Sequence, residues 1–240
     1  MGYYTGMVAA VPAANRDDYV AHAAAAWKVF KAHGAVRMVD TWGVDVPHGK
    51  LTDFHRAVEA GQDEVVVFSW IEWPDGPFAE AAWPALMNDP AMAALPQAPF
   101  DGSRMIYGGF TPVFEQGGHT GAGYYQGFVL PVPAANRDAY AKMAGEAWPM
   151  FRDGGALGTV EGWGDYLPHG QRTDFHRAVR AEGDEVVLFS WIRWPDRATC
   201  DAAAAAMEAS ADAAQFAQMP FDGKRMFWGG FEPLFDSAAG

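Results

Sequence analysis

The residues most suited to chemistry are two pairs, each an aspartate and a histidine separated by one position. Asp53 and His55 form the first pair, and Asp174 and His176 repeat it later in the chain. A carboxylate beside an imidazole orients the ring and raises its basicity, as general-base catalysis requires. If the segment is a strand, both side chains point to the same face. We therefore predict these four residues as candidate catalytic groups, with a structural ion pair as the alternative.

Two further histidines, His48 and His169, precede these pairs. Interpreted as extended chain, the segment from His48 to His55 spans about 20 Å, whereas two ligands of one zinc ion must lie within about 4 Å of each other. We therefore predict that both are solvent-exposed turn residues and that neither binds a metal. No cofactor is predicted, since the sequence has no Gly-rich phosphate loop, nucleophile elbow, CxxC or HExxH motif.

A second group of residues is suited to binding a small molecule. Strand 64–73 is predicted to place a tryptophan and an acidic residue on one face, and an arginine follows each Phe-Asp-Gly turn. The candidate ligand-binding residues are Trp70, Glu72 and Arg104, with their counterparts Trp191, Arg193 and Arg225. An arginine holds a carboxylate through two parallel hydrogen bonds. The alternatives are a structural bridge from Arg104 to Asp101 or Asp53, and a salt bridge at position 72 that docks the two copies.

These residues occur in pairs because the chain is a tandem duplication of one unit. Residues 3–114 recur as 124–235 at a constant offset of 121, with no insertion or deletion. We predict a first repeat over 1–115, a flexible Gly-rich linker over 116–123 and a second repeat over 124–240. The period exceeds the 20–50 residues of solenoid units, so each copy is a domain.

Within one repeat, hydrophobic spacing and turn residues predict the order βαββαβ. The first helix is predicted to run from an Asn15 cap to Gly34, and a second, Ala-rich helix to start near Asp75. Pro84 and Pro90 are predicted to break or kink this second helix, whereas its counterpart over 199–216 has no proline and is predicted to be more continuous. Predicted strands cover 3–11, 35–46, 51–58, 64–73 and 104–114, and 47–50 is predicted as a tight turn. Helices on one face of an antiparallel sheet leave the other face uncovered. The predicted fold class is therefore α+β: two ferredoxin-like repeats whose sheets pack into one pseudo-dimeric α+β barrel.

Several motifs in this order resemble the YbaA-like family of domains of unknown function, which usually has a single copy. They are Trp42-Gly43, Pro47-x-Gly49-x-x-Thr52-Asp53-Phe54, Phe68-Ser69-Trp70-Ile71-Glu72 and Pro99-Phe-Asp-Gly-x-Arg-Met105. The resemblance covers nearly all of both copies. It implies a dimeric α+β barrel, a fold shared with the small antibiotic-biosynthesis monooxygenases, and it implies no catalytic residues, since the family has no established reaction.

The composition excludes some classes of partner. The formal net charge is −13 and the pI about 4.8, so phosphate backbones and anionic lipids are repelled and neither nucleic acid nor membrane is a predicted partner. No apolar run approaches the roughly 20 residues of a membrane span. The single cysteine, Cys200, fits a reducing compartment. We therefore predict a cytoplasmic protein.

The predicted function is binding of a small, partly apolar metabolite in a pocket inside the barrel, with cofactor-free oxygenase- or isomerase-type chemistry. One alternative is a metal-dependent enzyme of the vicinal-oxygen-chelate kind, with ligands from Asp53, His55 and their counterparts. The other is a non-catalytic interaction or stress protein. The predicted partner is a small molecule, and the predicted assembly is the intramolecular pseudo-dimer, with further oligomerisation left open.

The positions at which the two copies differ lead to one more hypothesis. Glu72 becomes Arg193, and in addition Trp83 becomes Ala204 and Tyr107 becomes Trp228. These changes alter both charge and volume, so any ligand cavity is predicted to be lopsided. A ligand carboxylate is predicted to prefer the side nearer Arg193, because opposite charges attract strongly in a partly desolvated site.

Overall fold

The computed structural model describes residues 2–118, 121, 123–209 and 219–238. The strands of this part of the chain are β1 (Tyr3–Pro12), β2 (Arg37–Asp45), β3 (Glu64–Trp73), β4 (Ile106–Gly117), β5 (Tyr124–Pro133), β6 (Gly158–Tyr166), β7 (Glu185–Trp194) and β8 (Phe227–Asp236). The helices are α1 (Arg16–Ala32), α2 (Phe54–Ala57), α3 (Gly76–Met87), α4 (Pro90–Ala93), α5 (Arg137–Asp153), α6 (Phe175–Ala178) and α7 (Arg197–Ala209). Each repeat thus follows the predicted βαββαβ order.

The predicted strand over 51–58 is wrong. In its place the chain forms a loop followed by the one-turn helix α2. Asp53 stands immediately before this helix, and its carboxylate accepts a hydrogen bond from the backbone N–H of Arg56 at 2.7 Å. An aspartate in this position satisfies a backbone donor that the helix leaves unpaired, and this local gain prevails over the strand-like apolar pattern. The second repeat makes the same turn with Asp174.

The first helix begins and ends close to the predicted positions, but its predicted cap is wrong. Asn15 precedes α1, yet its side-chain amide donates to the carbonyl of Pro99 at 2.8 Å and makes no capping bond. Gly34 follows the helix with a φ of 90°, a left-handed conformation that glycine adopts without steric cost. The Asn15 amide therefore ties the start of α1 to the segment before β4.

The two prolines predicted to interrupt the second helix of the first repeat have different effects. Pro84 lies inside α3, whereas Pro90 is the first residue of α4. Proline suits a first helical turn because it has no N–H to leave unpaired. The corresponding helix of the second repeat, over 199–216, is predicted to be more continuous. Helix α7 covers this stretch to Ala209, and residues 210–216 lie outside the described residues.

The eight strands close into one antiparallel barrel in the order β1-β3-β2-β8-β5-β7-β6-β4. Each repeat contributes four neighbouring strands, and the repeats meet at two seams, β2 with β8 and β4 with β6. The second seam continues to the pairing of Gly117 with Gly158, so β4 extends two residues into the predicted linker. The predicted pseudo-dimeric barrel is therefore confirmed, and neither sheet of the described chain is left with an open edge at the seams.

Alternation along the strands separates an inner face from an outer face. On β3, Val66, Phe68 and Trp70 belong to the barrel interior, whereas Val67, Ile71 and Trp73 pack beneath the helices. The equivalent residues of β7 divide in the same way. Phe68 stacks on its counterpart Phe189 with ring centroids 4.1 Å apart, and Trp70 stacks on Trp191 at 4.3 Å. The pseudo-twofold axis thus runs through a continuous aromatic core.

The short helices close one end of this barrel. Phe54 of α2 and Phe175 of α6 are almost fully buried and point edge-on at the central phenylalanine rings. The closure also joins the repeats, because the hydroxyl of Thr52 donates to the carbonyl of Arg225 at 2.9 Å. The four long helices cover the outer faces of the sheets. Among the described residues, no helix has the length and apolar character needed to cross a membrane.

Candidate functional site

The predicted catalytic aspartates are held by the chain around them. Asp53 is 1% exposed, and besides its bond to Arg56 it accepts a hydrogen bond from the backbone N–H of Gly49 at 3.1 Å. The guanidinium of Arg56 lies 3.2 Å from the same carboxylate. His55 lies on α2, where its Nε2 is 3.1 Å from the carbonyl oxygen of Val46. The prediction that Asp53 and His55 share one face of a strand is therefore wrong.

The predicted separation of the histidines is also wrong. The ring centroids of His48 and His55 are 4.4 Å apart, and those of His169 and His176 are 4.8 Å apart. The distance estimate fails because the segment between them is a loop and a helical turn instead of extended chain. The exposed-turn prediction for His48 agrees with its 76% exposed side chain, whose Nδ1 lies 3.9 Å from Asp53.

These clusters lack the arrangement that the vicinal-oxygen-chelate alternative needs. That alternative places ligands on inward-facing strand positions of both copies, whereas Asp53, His55 and their counterparts lie at the capped end of the barrel. In the part of the chain that the structure describes, no group of three or more His, Cys, Asp or Glu side chains is arranged to hold a metal ion.

The predicted ligand-binding tryptophans lie in the core. Trp70 and Trp191 are each 2% exposed and stack on each other inside the barrel. Aromatic rings fill this interior in the described residues, so the prediction of a pocket inside the barrel is corrected: the cavity described below lies outside the sheet. Trp70 and Trp191 belong to a motif that both repeats retain, and the structure shows that this motif forms the packed core of the fold.

Glu72 and Arg193 lie near the open end of the barrel with different surroundings. Glu72 is partly buried and lies opposite Arg37 in the register of β2 and β3. Burial raises the pKa of the Glu72 carboxyl, and the positive charge of Arg37 opposes this rise. Arg193 is 7% exposed, and its Nε donates to the carbonyl of Gly118 at 3.0 Å. The Arg193 side chain thus secures the segment that joins the repeats.

Arg104 and Arg225 form the structural bridges that were the alternative to ligand binding. The two terminal nitrogens of Arg104 donate to the two carboxylate oxygens of Glu64, both at 2.7 Å, and its Nε donates to Asp101 at 3.0 Å. Arg225 makes the same contacts with Glu185 and Asp222 in the second repeat. Bidentate pairs of this kind fix geometry strongly, and here they anchor the turn before the last strand of each repeat.

A cavity of about 630 Å³ opens on the outer side of the sheet in the first repeat. It lies between α3 and the strands β1, β4 and β6, at the seam between the two repeats. Its aromatic and charged lining residues are Tyr3, Glu80, Trp83, Tyr107, Asp165 and Tyr166. Its volume is within the range of small-molecule sites in proteins. The first repeat supplies most of the wall, and the end of β6 brings the second repeat to the rim.

The charged groups of this cavity are carboxylates. Burial, together with the negative charges of Asp165 and Glu80, raises the pKa of Tyr3 to about 12. The Tyr3 hydroxyl therefore keeps its proton at neutral pH and remains a hydrogen-bond donor. Among the described residues, those that line the cavity include no Lys, Arg or His. The site thus combines aromatic surface, phenolic donors and negative charge.

Local sequence explains how the cavity is held open. Asp75 caps α3 by accepting a hydrogen bond from the backbone N–H of Phe78 at 2.7 Å, which sets where the helix begins over the sheet. Tyr3 lies flat across β4 because Gly109 has no side chain: a Cβ there would overlap the Tyr3 hydroxyl. Trp83 and Tyr107 face each other at 6.3 Å with nearly parallel rings. The helix, a glycine and two rings therefore define the walls.

In the described part of the second repeat, the corresponding surface has a different shape. It forms a depression of about 550 Å³, in which Tyr124, Arg197 and Glu232 occupy positions equivalent to lining residues of the first cavity. The side chain of Arg197 stands where the first repeat has Gly76. Its Nη2 lies 3.1 Å from Asp45 and its Nε lies 3.5 Å from Asp201.

Sequence reasoning did not select the residues of this site as a group. It did single out Trp83 and Tyr107 as positions where the copies differ, and both line the cavity. Glu72 and Arg193, on which the expected ligand carboxylate depended, are outside its lining. The sequence feature that could have located the cavity is divergence between equivalent positions of the two repeats. Gly76 and its counterpart Arg197 are a further such difference. Repeated motifs identified the structural core instead.

The fold and the arrangement of the repeats define the class to which the chain belongs. The protein shares its architecture with a crystallised anthrone oxidase-like protein (TM-score 0.62, 12% identity, 100% of this chain and 94% of the other). It is also similar to a "Putative monooxygenase" of Fusobacterium nucleatum subsp. nucleatum (TM-score 0.60, 11% identity, 100% and 95% covered). At these identities the likeness shows a pseudo-dimeric α+β barrel and no more.

The sequence then identifies the family. The chain belongs to the family described as "Protein of unknown function (DUF1428)", whose model matches residues 2–102 and again residues 123–223. The uncharacterized protein YbaA of Escherichia coli strain K12 is 49% identical over 117 residues, which is 48% of this chain and all of that protein. The Shigella flexneri YbaA matches equally. The resemblance to the YbaA-like family is therefore confirmed, and this chain has two copies of a unit that these relatives have once.

Proposed function

We propose that this protein binds a small, partly apolar molecule in the outer cavity of its first repeat. The observation that carries the proposal is the open cavity beside β4, where Tyr3, Trp83 and Tyr107 form aromatic walls around about 630 Å³. Ligand sites are typically concave and largely apolar, with a few polar groups that fix orientation. The phenolic hydroxyls, together with Glu80 and Asp165, supply such groups here.

The shape of the walls favours a flat ligand. Trp83 and Tyr107 are almost parallel, with an interplanar angle of 17°. Their centroids are 6.3 Å apart, within the roughly 4.5–7 Å of an offset-stacked aromatic pair, so the two rings together form one extended flat surface. A planar ligand can pack against this surface with the same stacking geometry.

The two repeats provide a matched pair of variants to test binding. Aromatic fragments are screened by ligand-observed NMR against the wild-type protein, the Tyr107→Ala variant and the Trp228→Ala variant. Tyr107 lines the cavity, whereas Trp228, at the equivalent position, is 39% exposed. We expect the affinity of bound fragments to fall roughly tenfold in Tyr107→Ala and to stay unchanged in Trp228→Ala. Equal losses in both variants, or no loss in either, would contradict the proposal.

The cavity also supports a second candidate function, cofactor-free oxygenase- or isomerase-type catalysis. Such a reaction begins with removal of a proton from the substrate, and Asp165, one of the two carboxylates at the rim, is the base that we propose for this step. Tyr3 keeps its proton because its pKa is raised to about 12, so its hydroxyl donates a hydrogen bond to the oxyanion that forms. No positively charged side chain of the described residues lines the cavity to stabilise that anion, and we therefore favour binding over catalysis.

Anthrone is a suitable probe for this second candidate, since one structural neighbour is described as anthrone oxidase-like. Oxidation by O₂ converts anthrone to anthraquinone and releases one water. We expect oxygen consumption above the uncatalysed rate, and a loss of that excess in Asp165→Asn. Asp201→Asn, a change in the second repeat, is the control. Oxygen uptake equal to that of the buffer would reject anthrone oxidation while leaving the binding proposal intact.

A further inference from the structure

The second repeat shows what the first cavity lacks. At the first residue of α7, Arg197 extends a guanidinium between two carboxylates, Asp45 from the end of β2 and Asp201 from its own helix. The same guanidinium lies close enough to Tyr124 to oppose the rise in the pKa of that phenol that burial produces. The second repeat therefore carries its own cation beside a tyrosine and two acids.

The first repeat retains the acids and the tyrosine but has no cation at this place. Gly76 occupies the position of Arg197, Glu80 occupies the position of Asp201, and Tyr3 occupies that of Tyr124. The counterpart of Asp45 in the second repeat is Tyr166, and the carboxylate at this end of β6 comes from the preceding residue, Asp165.

These acids are not neutralised by neighbouring side chains. Within the described residues, neither Glu80 nor Asp165 has an ion pair or a side-chain hydrogen bond, and both act on Tyr3 as uncompensated negative charges. The missing cation thus leaves both a space and a negative potential.

The walls of the cavity suit a positive charge as well. Trp83, Tyr107 and Tyr166 line the same space as the two carboxylates. The face of an aromatic ring attracts ammonium and guanidinium groups. The aromatic rings therefore favour a positively charged group, independently of the two carboxylates.

We infer that the first cavity takes an organic cation, an ammonium or guanidinium group attached to a flat apolar body, in the place that Arg197 fills in the second repeat. This inference rests on the proposed binding function and names its ligand class. The cationic group lies between Glu80 and Asp165, and the apolar body lies along Trp83 and Tyr107. Carboxylate ligands are excluded from this site by the same two acids.

Three probes of nearly equal shape test the charge preference: phenethylammonium, 2-phenylethanol and 3-phenylpropionate, each titrated by calorimetry or ligand-observed NMR at low salt. We expect phenethylammonium to bind about tenfold more tightly than the alcohol, and 3-phenylpropionate to bind more weakly than either. Added salt should narrow the difference, because both carboxylates are exposed at the rim.

Variants locate the effect and separate it from folding. Gly76→Arg should abolish binding of all three probes, and Arg197 shows that the fold accepts arginine at this position. The double variant of Glu80→Gln with Asp165→Asn should bind the ammonium and the alcohol equally, whereas Asp201→Asn in the second repeat should retain the preference. Thermal melting reports whether each variant is folded.

The outcomes distinguish this inference from the function on which it rests. Equal affinity for the ammonium and the alcohol, lost in Gly76→Arg, would overturn the cation preference and leave ligand binding in place. Binding that Gly76→Arg does not change, or no binding of any probe at millimolar concentration, would overturn both. A preference that survives the double variant would show that the two carboxylates are not its source.

Discussion

At the residue scale, each repeat buries an acidic side chain between its first helix and its sheet. In the first repeat the hydroxyl of Tyr19 donates to Asp40 at 2.8 Å, and in the second Tyr140 donates to Glu161 at the same distance. Asp40 is 1% exposed, and its second oxygen has no hydrogen-bond partner in the described structure. A buried carboxylate without full hydrogen bonding is costly, so burial raises the pKa of Asp40 to about 6.

This shift predicts how stability depends on pH. Folding raises the pKa of the Asp40 carboxyl, so the folded state binds this proton more tightly than the unfolded state. The stabilisation that results is fully present below about pH 4 and is lost as the pH rises through about 6. A shift of this size corresponds to roughly 2–3 kcal/mol. Asp40→Asn keeps an acceptor for Tyr19 and cannot ionise. We therefore expect its stability relative to the wild type to increase between pH 4 and pH 7.

Urea denaturation of both proteins across this pH range measures the difference. Asp17→Asn, a change of an exposed aspartate in the first turn of α1, controls for net charge. A stability difference that does not vary with pH would show that folding does not raise the pKa of Asp40.

Asp53 and His48 belong to one cluster but contribute differently to stability. Asp53 is buried and accepts two backbone hydrogen bonds, whereas the side chain of His48 is 76% exposed. We expect Asp53→Ala to lower the free energy of unfolding by about 2 kcal/mol, since a helix cap is lost and a loop N–H is left unpaired. Asp174→Ala should have a similar effect, and His48→Ala an effect within about 0.5 kcal/mol. Chemical denaturation of the three variants checks this, and a larger effect for His48→Ala than for Asp53→Ala would refute it.

At the element scale, glycines determine how closely side chains approach the sheet. Gly6 and Gly127 lie on the central strands, and a Cβ at either would come within about 3 Å of a core phenylalanine ring, Phe189 or Phe68. On the outer face of the sheet, a Cβ at Gly109 would overlap the hydroxyl of Tyr3 in the same way. These glycines weaken intrinsic strand propensity but allow rings to lie flat on the backbone.

Gly109→Ala tests this role at the cavity. The added methyl group overlaps the Tyr3 hydroxyl, so Tyr3 must leave its place, and we expect a loss of about 1–3 kcal/mol of stability together with weaker binding of aromatic probes. Gly102→Ala is the matched control, because a Cβ there meets no atom within 4 Å. Thermal denaturation and probe titration measure the two effects, and equal stability of both variants would contradict the packing described.

At the scale of the whole molecule, the two fused repeats form one pseudo-dimer within a single chain. Arg37 of β2 forms a bidentate pair with Asp236 of β8, with its Nε 2.9 Å from one carboxylate oxygen. Both side chains are largely buried at this seam. The pair has no direct equivalent at the other seam, where Gly158 takes the place of arginine. Divergence after duplication has therefore reached the interface as well as the cavity.

A chain cut between the repeats tests how far each depends on the other. A separated first repeat, residues 1–118, would expose to solvent the sheet face that contains Phe68 and Trp70. A large exposed apolar face of this kind favours association with another chain. We expect each separated repeat to form dimers, and a mixture of the two to assemble into a barrel that binds the aromatic probes. Light scattering after size-exclusion chromatography measures the mass, and stable monomers of either repeat would contradict the expectation.

The sequence by itself determined the repeat, the order of the main elements and the faces of the central strands. These features follow from local rules. Alternation assigns Phe68 and Trp70 to one side of β3, and a sheet covered by helices on one face needs a partner on the other. The bridge between Arg104 and Asp101 was also among the expected alternatives, since the two residues are close in the chain.

Only the tertiary structure decided where the cavity forms. Tyr3, Trp83, Tyr107 and Asp165 come from four separate segments of both repeats, and they meet because β4 pairs with β6 at a seam. No periodicity along the chain encodes such a meeting, since it depends on how two sheets close. The proximity of His48 and His55 was missed for a related reason: the capping bond of Asp53 folded back a segment whose apolar pattern favoured a strand.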